Sequence, residues 1–179
     1  MKKNLIVSLI AVSLVVGGVA ALGAGGWRWN RSAPTAAATL PAEVANVVLE
    51  ALVGPEGEYA AYATYAAILE EYGNVRPYAQ IMKAEAQHIR ALTTLLDRYG
   101  IEYPTVNPYL GKVDAPSSLL EAAQAGIDAE KANVEMYDDQ LALVAAYPDI
   151  ARVLGNLRAA SLNSHLPAFE RALESGGTF

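Results

Sequence analysis

Cysteine is absent from the 179 residues. That excludes a disulfide scaffold, a thiolate metal site, an iron–sulfur cluster and a cysteine nucleophile. Positive charge is scarce: 13 Lys and Arg stand against 19 Asp and Glu, for a formal charge of −6. The basic footprint of a nucleic-acid binder is therefore missing. Charged residues make up only 18% of the chain and hydrophobic ones 53%, too apolar a mixture for a disordered chain. There is no G-x-S-x-G elbow, Gly-rich phosphate loop or dinucleotide fingerprint. Ser164 beside His165 cannot serve nucleophilic hydrolysis, because adjacent helical residues face about 100° apart. No segment alternates apolar and polar residues in the manner of a half-buried strand. What remains is one acidic, all-α domain of ordinary size with an extension.

The extension lies at the start. Lys2 and Lys3 precede the uncharged run Leu5–Gly26, the layout of an export signal. Small residues at Gly18-Val19-Ala20 and Ala21-Leu22-Gly23 suit a signal peptidase. The run is also long enough, at about 20 residues, to span a bilayer as an uncleaved anchor. Trp27 and Trp29 then fall at an interfacial aromatic belt. On either reading the domain is extracytoplasmic (periplasmic, cell-surface or secreted), and membrane contact is confined to residues 5–26. Residues 27–41, small and Pro-containing, read as a linker.

Residues 42–179 divide at their punctuation into a short apolar helix and four longer ones. Residues 42–53 end at Gly54-Pro55. Helical stretches follow from about Pro55 to Tyr72 and from about Val75 to Tyr99, stopped by Gly73-Asn74 and Gly100. Ser118 and Glu121 form a capping box for a helix to about Tyr147. Pro148-Asp149 opens a last helix reaching about Glu174. The plan is two helical hairpins joined by the Pro-rich connection 101–116, a four-helix bundle of ferritin-like connectivity. Those 16 residues reach at most about 53 Å, more than the roughly 38 Å of a 25-residue helix. The connection can therefore run the length of the bundle, and the second hairpin is expected to start from the same end as the first.

Only two histidines exist, His88 and His165, and their settings match. Each lies in the second helix of its hairpin. In the first helices Glu58 precedes Tyr65 and Glu130 precedes Tyr137 by seven residues, two helical turns on one face. The midpoint of Glu58 and His88 is Gly73, and that of Glu130 and His165 falls between Tyr147 and Pro148. Both midpoints are expected turns, so each hairpin sets one glutamate level with one histidine. Glu85, three residues before His88, shares its face, so carboxylate and imidazole can bind a common ion or adjacent ions. Di-iron and di-manganese bundles use a Glu from each of two helices and Glu-x-x-His from each of the other two.

On Glu58-Tyr-Ala-Ala-Tyr-Ala-Thr-Tyr65, Glu85-Ala-Gln-His88, Glu130 after Gly126, and Asn156-Leu157 with Ser161-Leu162-Asn163-Ser164-His165-Leu166, residues 55–175 resemble the ferritin-like superfamily. Within it they are most similar to an exported ferritin-like domain-of-unknown-function family. The resemblance implies a carboxylate-bridged metal pair and oxidase- or peroxidase-type chemistry with oxygen or peroxide, or the handling of iron. The ligand set it implies is Glu58, Glu85, His88, Glu130 and His165. One carboxylate is missing, because Leu162 stands three residues before His165. Ser161, one turn before His165, is a poor ligand, and Pro167 removes a backbone donor and is expected to kink that helix. An asymmetric pair, a single ion and a degenerate site without metal all satisfy this set.

Three ionised carboxylates in an apolar bundle repel one another and lose hydration. One or two divalent ions offset both costs. Oxygen and imidazole ligands without thiolate suit iron or manganese, with zinc a competitor. Tyr62, Tyr65 and Tyr137 are candidates to hydrogen-bond the ligating carboxylates or to be oxidised beside them; core packing is the other use for them. The rival to a metal enzyme is a non-enzymatic envelope bundle with a vestigial site, acting through a partner, in which Glu58 and Glu130 point outward.

Overall fold

A computed structural model describes residues 39–179; Leu5–Gly26, Trp27, Trp29 and most of the linker lie outside the described residues. Among the described residues every regular element is helical, and no helix is long and apolar enough to cross a membrane. Helix α1 (Ala42–Val53) turns Val44, Val47, Val48, Ala51 and Leu52 inward, the spacing of a single helical stripe. Burying each large member of that stripe is worth about 1.5–3 kcal/mol. Helix α2 (Glu58–Tyr72) starts at Glu58, three residues later than the composition suggests, because Gly54–Gly57 forms a turn closed by Gly57 N–H to the Gly54 carbonyl at 3.0 Å. Glu58 thereby becomes the first residue of its helix.

Helix α3 (Tyr78–Tyr99) ends at Gly100, whose φ of +65° is the left-handed conformation that glycine adopts without penalty. Helix α4 (Leu119–Leu143) is capped by Ser118, whose hydroxyl accepts from Glu121 N–H at 3.1 Å. The reciprocal half of the expected box is shifted by one residue: Glu121 Oε2 accepts from the Ser117 hydroxyl at 2.7 Å. The last rod is helix α5 (Pro148–Ala160), a π-helical turn over Ser161–His165, and helix α6 (Leu166–Glu174). The expected disturbance by Pro167 takes the form of this turn. Leu166 N–H bonds back to the Ser161 carbonyl, five residues earlier, so Pro167 falls in the first turn of α6, where a missing N–H costs little.

Helices α2 and α3 pack as one hairpin, and α4 packs against α5 and α6 as the other. Hydrogen bonds trace the connection between them. Near the start of α2, Tyr59 OH donates to the Pro104 carbonyl at 2.8 Å and Asn107 donates to the Tyr59 carbonyl at 2.8 Å. Near its end, Tyr72 OH donates to the Pro116 carbonyl. The connection thus runs the length of α2, and Tyr78 OH, at the start of α3, reaches the Leu119 carbonyl at 3.0 Å. The second hairpin therefore starts at the end opposite to the start of the first, not at the same end. A connection that travels the whole bundle delivers the chain to the far side, so α4 runs antiparallel to α2.

Two apolar clusters result. One gathers Val48, Leu52, Leu92, Leu96, Tyr137, Ile150 and Leu154; the other gathers Tyr65, Ile68, Tyr78, Ile81, Ile127 and Phe169. In the second, Gly126 is required by close approach: a Cβ there would sit 2.8 Å from the Phe169 ring. A polar layer separates the clusters, and Tyr137 from one and Tyr65 from the other both donate into it.

Candidate metal centre

All five residues singled out in the sequence meet in that layer. Glu58 opens α2, Glu85 and His88 lie one turn apart on α3, Glu130 is mid-α4 and His165 ends the π turn. Glu58, Glu85, Glu130 and His165 are each at most 4% exposed, and His88 is half-buried. Neither Glu58 nor Glu130 points outward. Glu85 is the centre of the arrangement: its Oε2 lies 2.7 Å from His88 Nδ1 and its Oε1 lies 3.2 Å from His165 Nδ1. Glu58 Oε2 flanks His88 Nδ1 at 3.3 Å, and Glu130 Oε2 flanks His165 Nδ1 at 3.4 Å. The imidazoles are nearly parallel, with ring centroids 5.6 Å apart. Two triads sharing Glu85 result, each with its ligand atoms within 4.8 Å of one another and each able to hold a metal ion.

The tyrosines cross between helices. Tyr65 OH on α2 donates to Glu130 Oε1 on α4 at 2.8 Å, and Tyr137 OH on α4 donates to Glu58 Oε1 on α2. Sequence spacing pairs each tyrosine with the glutamate of its own helix. The antiparallel run of α2 against α4 instead brings Tyr137 level with Glu58 and Tyr65 level with Glu130. Tyr62 is half-buried, and among the described residues no hydrogen bond ties it to the cluster.

Burial, and then the neighbouring Glu85 charge, push the Glu58 carboxyl up to about 8. Burial pushes Glu85 the same way, but the adjoining His165 and His88 imidazoles outweigh it and hold Glu85 below the usual carboxylate range. Burial works against charge on the imidazoles, yet Glu58 and Glu85 raise His88 to about 10, and Glu130 and Glu85 raise His165 to about 9. Tyr65 and Tyr137 are lifted well above the ordinary phenol range by burial and then by Glu130 and Glu58 respectively. The glutamates thus hold cationic charge at both imidazoles, the place that a divalent ion would take on displacing those protons.

One atom of the cluster is left over. Among the described residues His165 Nδ1, which is buried, finds no hydrogen-bond partner, although two carboxylate oxygens lie within ion-pair distance. Its N–H direction misses both. Such an orphan costs about 1–3 kcal/mol, and a cation between Nδ1 and the two oxygens would satisfy all three. The donor set of carboxylate and imidazole without thiolate fits a first-row divalent ion.

The two triads differ where the π turn intervenes. Leu162 is 36% exposed, whereas Ser161 is 3% exposed and donates to Asn133 Oδ1 at 2.7 Å. Asn133 in turn donates to the Glu56 carbonyl at 2.9 Å. The extra residue of the turn changes the inward spacing before His165 from three to four, so Ser161, not Leu162, faces the interior. Sequence reasoning missed Asn133. Its signal is the i, i+3 spacing from Glu130, which puts both on one face.

A solved structure, the crystal structure of a hypothetical protein from Methanococcus jannaschii, is similar to this chain at 23% identity and a TM-score of 0.66, over 83% of this chain and 88% of that one. This likeness supports the fold alone. No curated protein matches. A family model matches residues 52–179, and the chain belongs to that family, described as an uncharacterized protein domain (DUF2202).

Proposed function

We propose that the chain is a ferritin-like protein with an asymmetric two-ion centre. Glu58, Glu85 and His88 would hold one ion, and Glu85, Glu130 and His165 would hold the other. Iron or manganese fits best, with zinc a competitor. The observation that carries this reading is the division of the Glu85 carboxylate, one oxygen to each imidazole, at a buried site with an orphaned imidazole nitrogen. When bound, iron or manganese would supply oxygen or peroxide redox chemistry, whereas zinc would not. The chain's own part is to fix the ligands. Tyr65 and Tyr137 hold the outer oxygens of Glu130 and Glu58, and the Ser161–Asn133 link holds the π turn against α4. The set has three carboxylates where the symmetric pattern has four, so an ion held by these residues would have room for a reactant.

Residues 1–26 support export, with the bundle outside the cytoplasm, cleaved or tethered. Fractionation of expressing cells tests that. For the centre, the full-length chain is titrated with ferrous iron without air and then exposed to air, while near-ultraviolet absorption is followed. About two ions per chain are expected, with absorption growth that Glu85→Gln abolishes. Iron accumulating far beyond that ratio would redirect the reading to iron handling. No uptake of iron, manganese or zinc would overturn it in favour of a vestigial site.

A further inference from the structure

Helices α2 and α4 touch only sparingly, unlike the pairs within each hairpin. A cavity of about 310 Å³ opens between them. Its walls are small residues, Ala60, Ala61 and Thr64 from α2 and Ala122, Ala125 and Ala129 from α4, and its lining includes Glu58, Glu85 and Glu130. Neither histidine lines it, so the carboxylate side of the cluster is the side that faces the cavity. Alanine-lined helices ordinarily close on each other, since short side chains permit near approach. Here two phenols act as struts across the gap: Tyr65 reaches Glu130 and Tyr137 reaches Glu58. The bonds that span from one helix to the other are thus the ones that hold Glu58 and Glu130.

Size and charge select the occupant. Water takes about 30 Å³ per molecule in the liquid, so the space exceeds what dioxygen or peroxide needs and falls at the small end of organic-ligand pockets. Glu56 and Asp128, both exposed, add acid to the lining, which among the described residues contains no lysine or arginine. Anions are thereby disfavoured. Alanine methyls, Ile68 and the Tyr65 ring supply apolar wall for the body of an occupant.

We propose that this cavity is a substrate pocket whose occupant is a small organic molecule with an apolar body and no negative charge, entering between α2 and α4 to reach Glu58, Glu85 and Glu130. What the occupant meets there rests on the metal reading; its binding does not.

The test uses the full-length chain with alanine methyls labelled for NMR, with and without ferrous iron under argon. Benzyl alcohol and benzoate serve as probes of matched shape and different charge. Benzyl alcohol is expected to shift the methyls of Ala60, Ala61, Ala122 and Ala129 saturably and leave that of Ala142, on the exposed surface of α4, unmoved. Benzoate is expected to bind at least tenfold more weakly. Ala129 is exposed at the cavity wall, so Ala129→Leu fills the space with little risk to folding and should weaken benzyl alcohol at least tenfold. Ala125→Leu is the second such variant, and Ala142→Leu should change nothing. Silent cavity methyls, equal binding of benzoate, or Ala129→Leu and Ala125→Leu both binding as the unchanged chain does would overturn the proposal. A chain that takes up metal but no benzyl alcohol refutes the pocket alone. A chain that binds benzyl alcohol but no metal refutes the centre and upholds the pocket.

Discussion

The two hairpins build the same half-site by different means. In the first, Glu85 and His88 stand three residues apart on an uninterrupted α-helix, and Glu58 faces them from α2. In the second, Glu130 faces His165 at nearly the same distance, but a π turn stands where the second helix would carry its own carboxylate. The glutamate–histidine pairing across each hairpin survives the difference, because it depends only on equal distances from the turn. The bridging carboxylate does not, because it depends on helical register next to the histidine. Glu85 therefore serves both halves, and the halves are unequal in what they can lose.

Removing the shared residue breaks both halves at once. Glu85→Gln keeps shape but withdraws a charge from each triad and replaces one of the two acceptor oxygens with an amide donor. Metal affinity at both positions is expected to fall by roughly 100-fold or more, beyond the cost typical of outer-shell substitutions. Equilibrium titration of the full-length chain measures it. A variant that still takes up two ions at the original affinity would show that Glu85 is not the bridge.

The terminal glutamates test whether the halves are separable. Glu58→Gln and Glu130→Gln should each reduce uptake from about two ions to about one, the second ion being weakened by the loss of a charged ligand. The half without its own bridging carboxylate has less in reserve, so Glu130→Gln should empty its position more completely. Identical losses from the two variants would remove the asymmetry from the argument.

A smaller effect is expected from the phenols. Tyr137→Phe strands a buried oxygen of Glu58, and Tyr65→Phe strands one of Glu130. Each should cost about 1–3 kcal/mol of stability and about 10-fold in metal affinity at the half whose glutamate loses its partner. Because the bonds cross between α2 and α4, Tyr137→Phe should weaken the Glu58 half and Tyr65→Phe the Glu130 half. Paramagnetic shifts from a bound ion distinguish the two. The reverse assignment is what pairing within one helix would give.

That crossing marks the limit of what the residues alone disclose. Glu58, Glu85, His88, Glu130 and His165 are legible because hairpin symmetry and helical periodicity are local arithmetic: count from the turn, then count in threes and fours. The all-helical reading is legible for the same reason, from Gly100, Ser118 and Pro148 as stops and starts. The direction of the second hairpin is not, since chain length shows only that residues 101–116 can span the bundle; the Tyr59 and Tyr72 hydrogen bonds show that they do. The partner swap of Tyr65 and Tyr137 follows from that direction and is hidden with it. The π turn is hidden differently. Pro167 signals a disturbance, but which backbone bonds stretch to accommodate it is settled by packing of the whole rod against α4.

The π turn yields the smallest expected effect and a sharp test of the comparison. Read as an α-helix, the rod puts Leu162 three residues before His165 and makes it the vacant fourth ligand, so Leu162→Glu should complete the set and tighten the second ion. With the extra residue of the turn, Leu162 instead lies toward solvent at 36% exposure and Ser161 turns inward. A glutamate at 162 then meets water, far from any ion it could bridge. Stability should move by no more than about 0.5 kcal/mol, as for an ordinary surface substitution, and metal stoichiometry and affinity should stay as they were. Tightening at the second position would mean that the rod regains α-helical register when metal binds. In that case the inequality between the hairpins belongs to the metal-free chain alone.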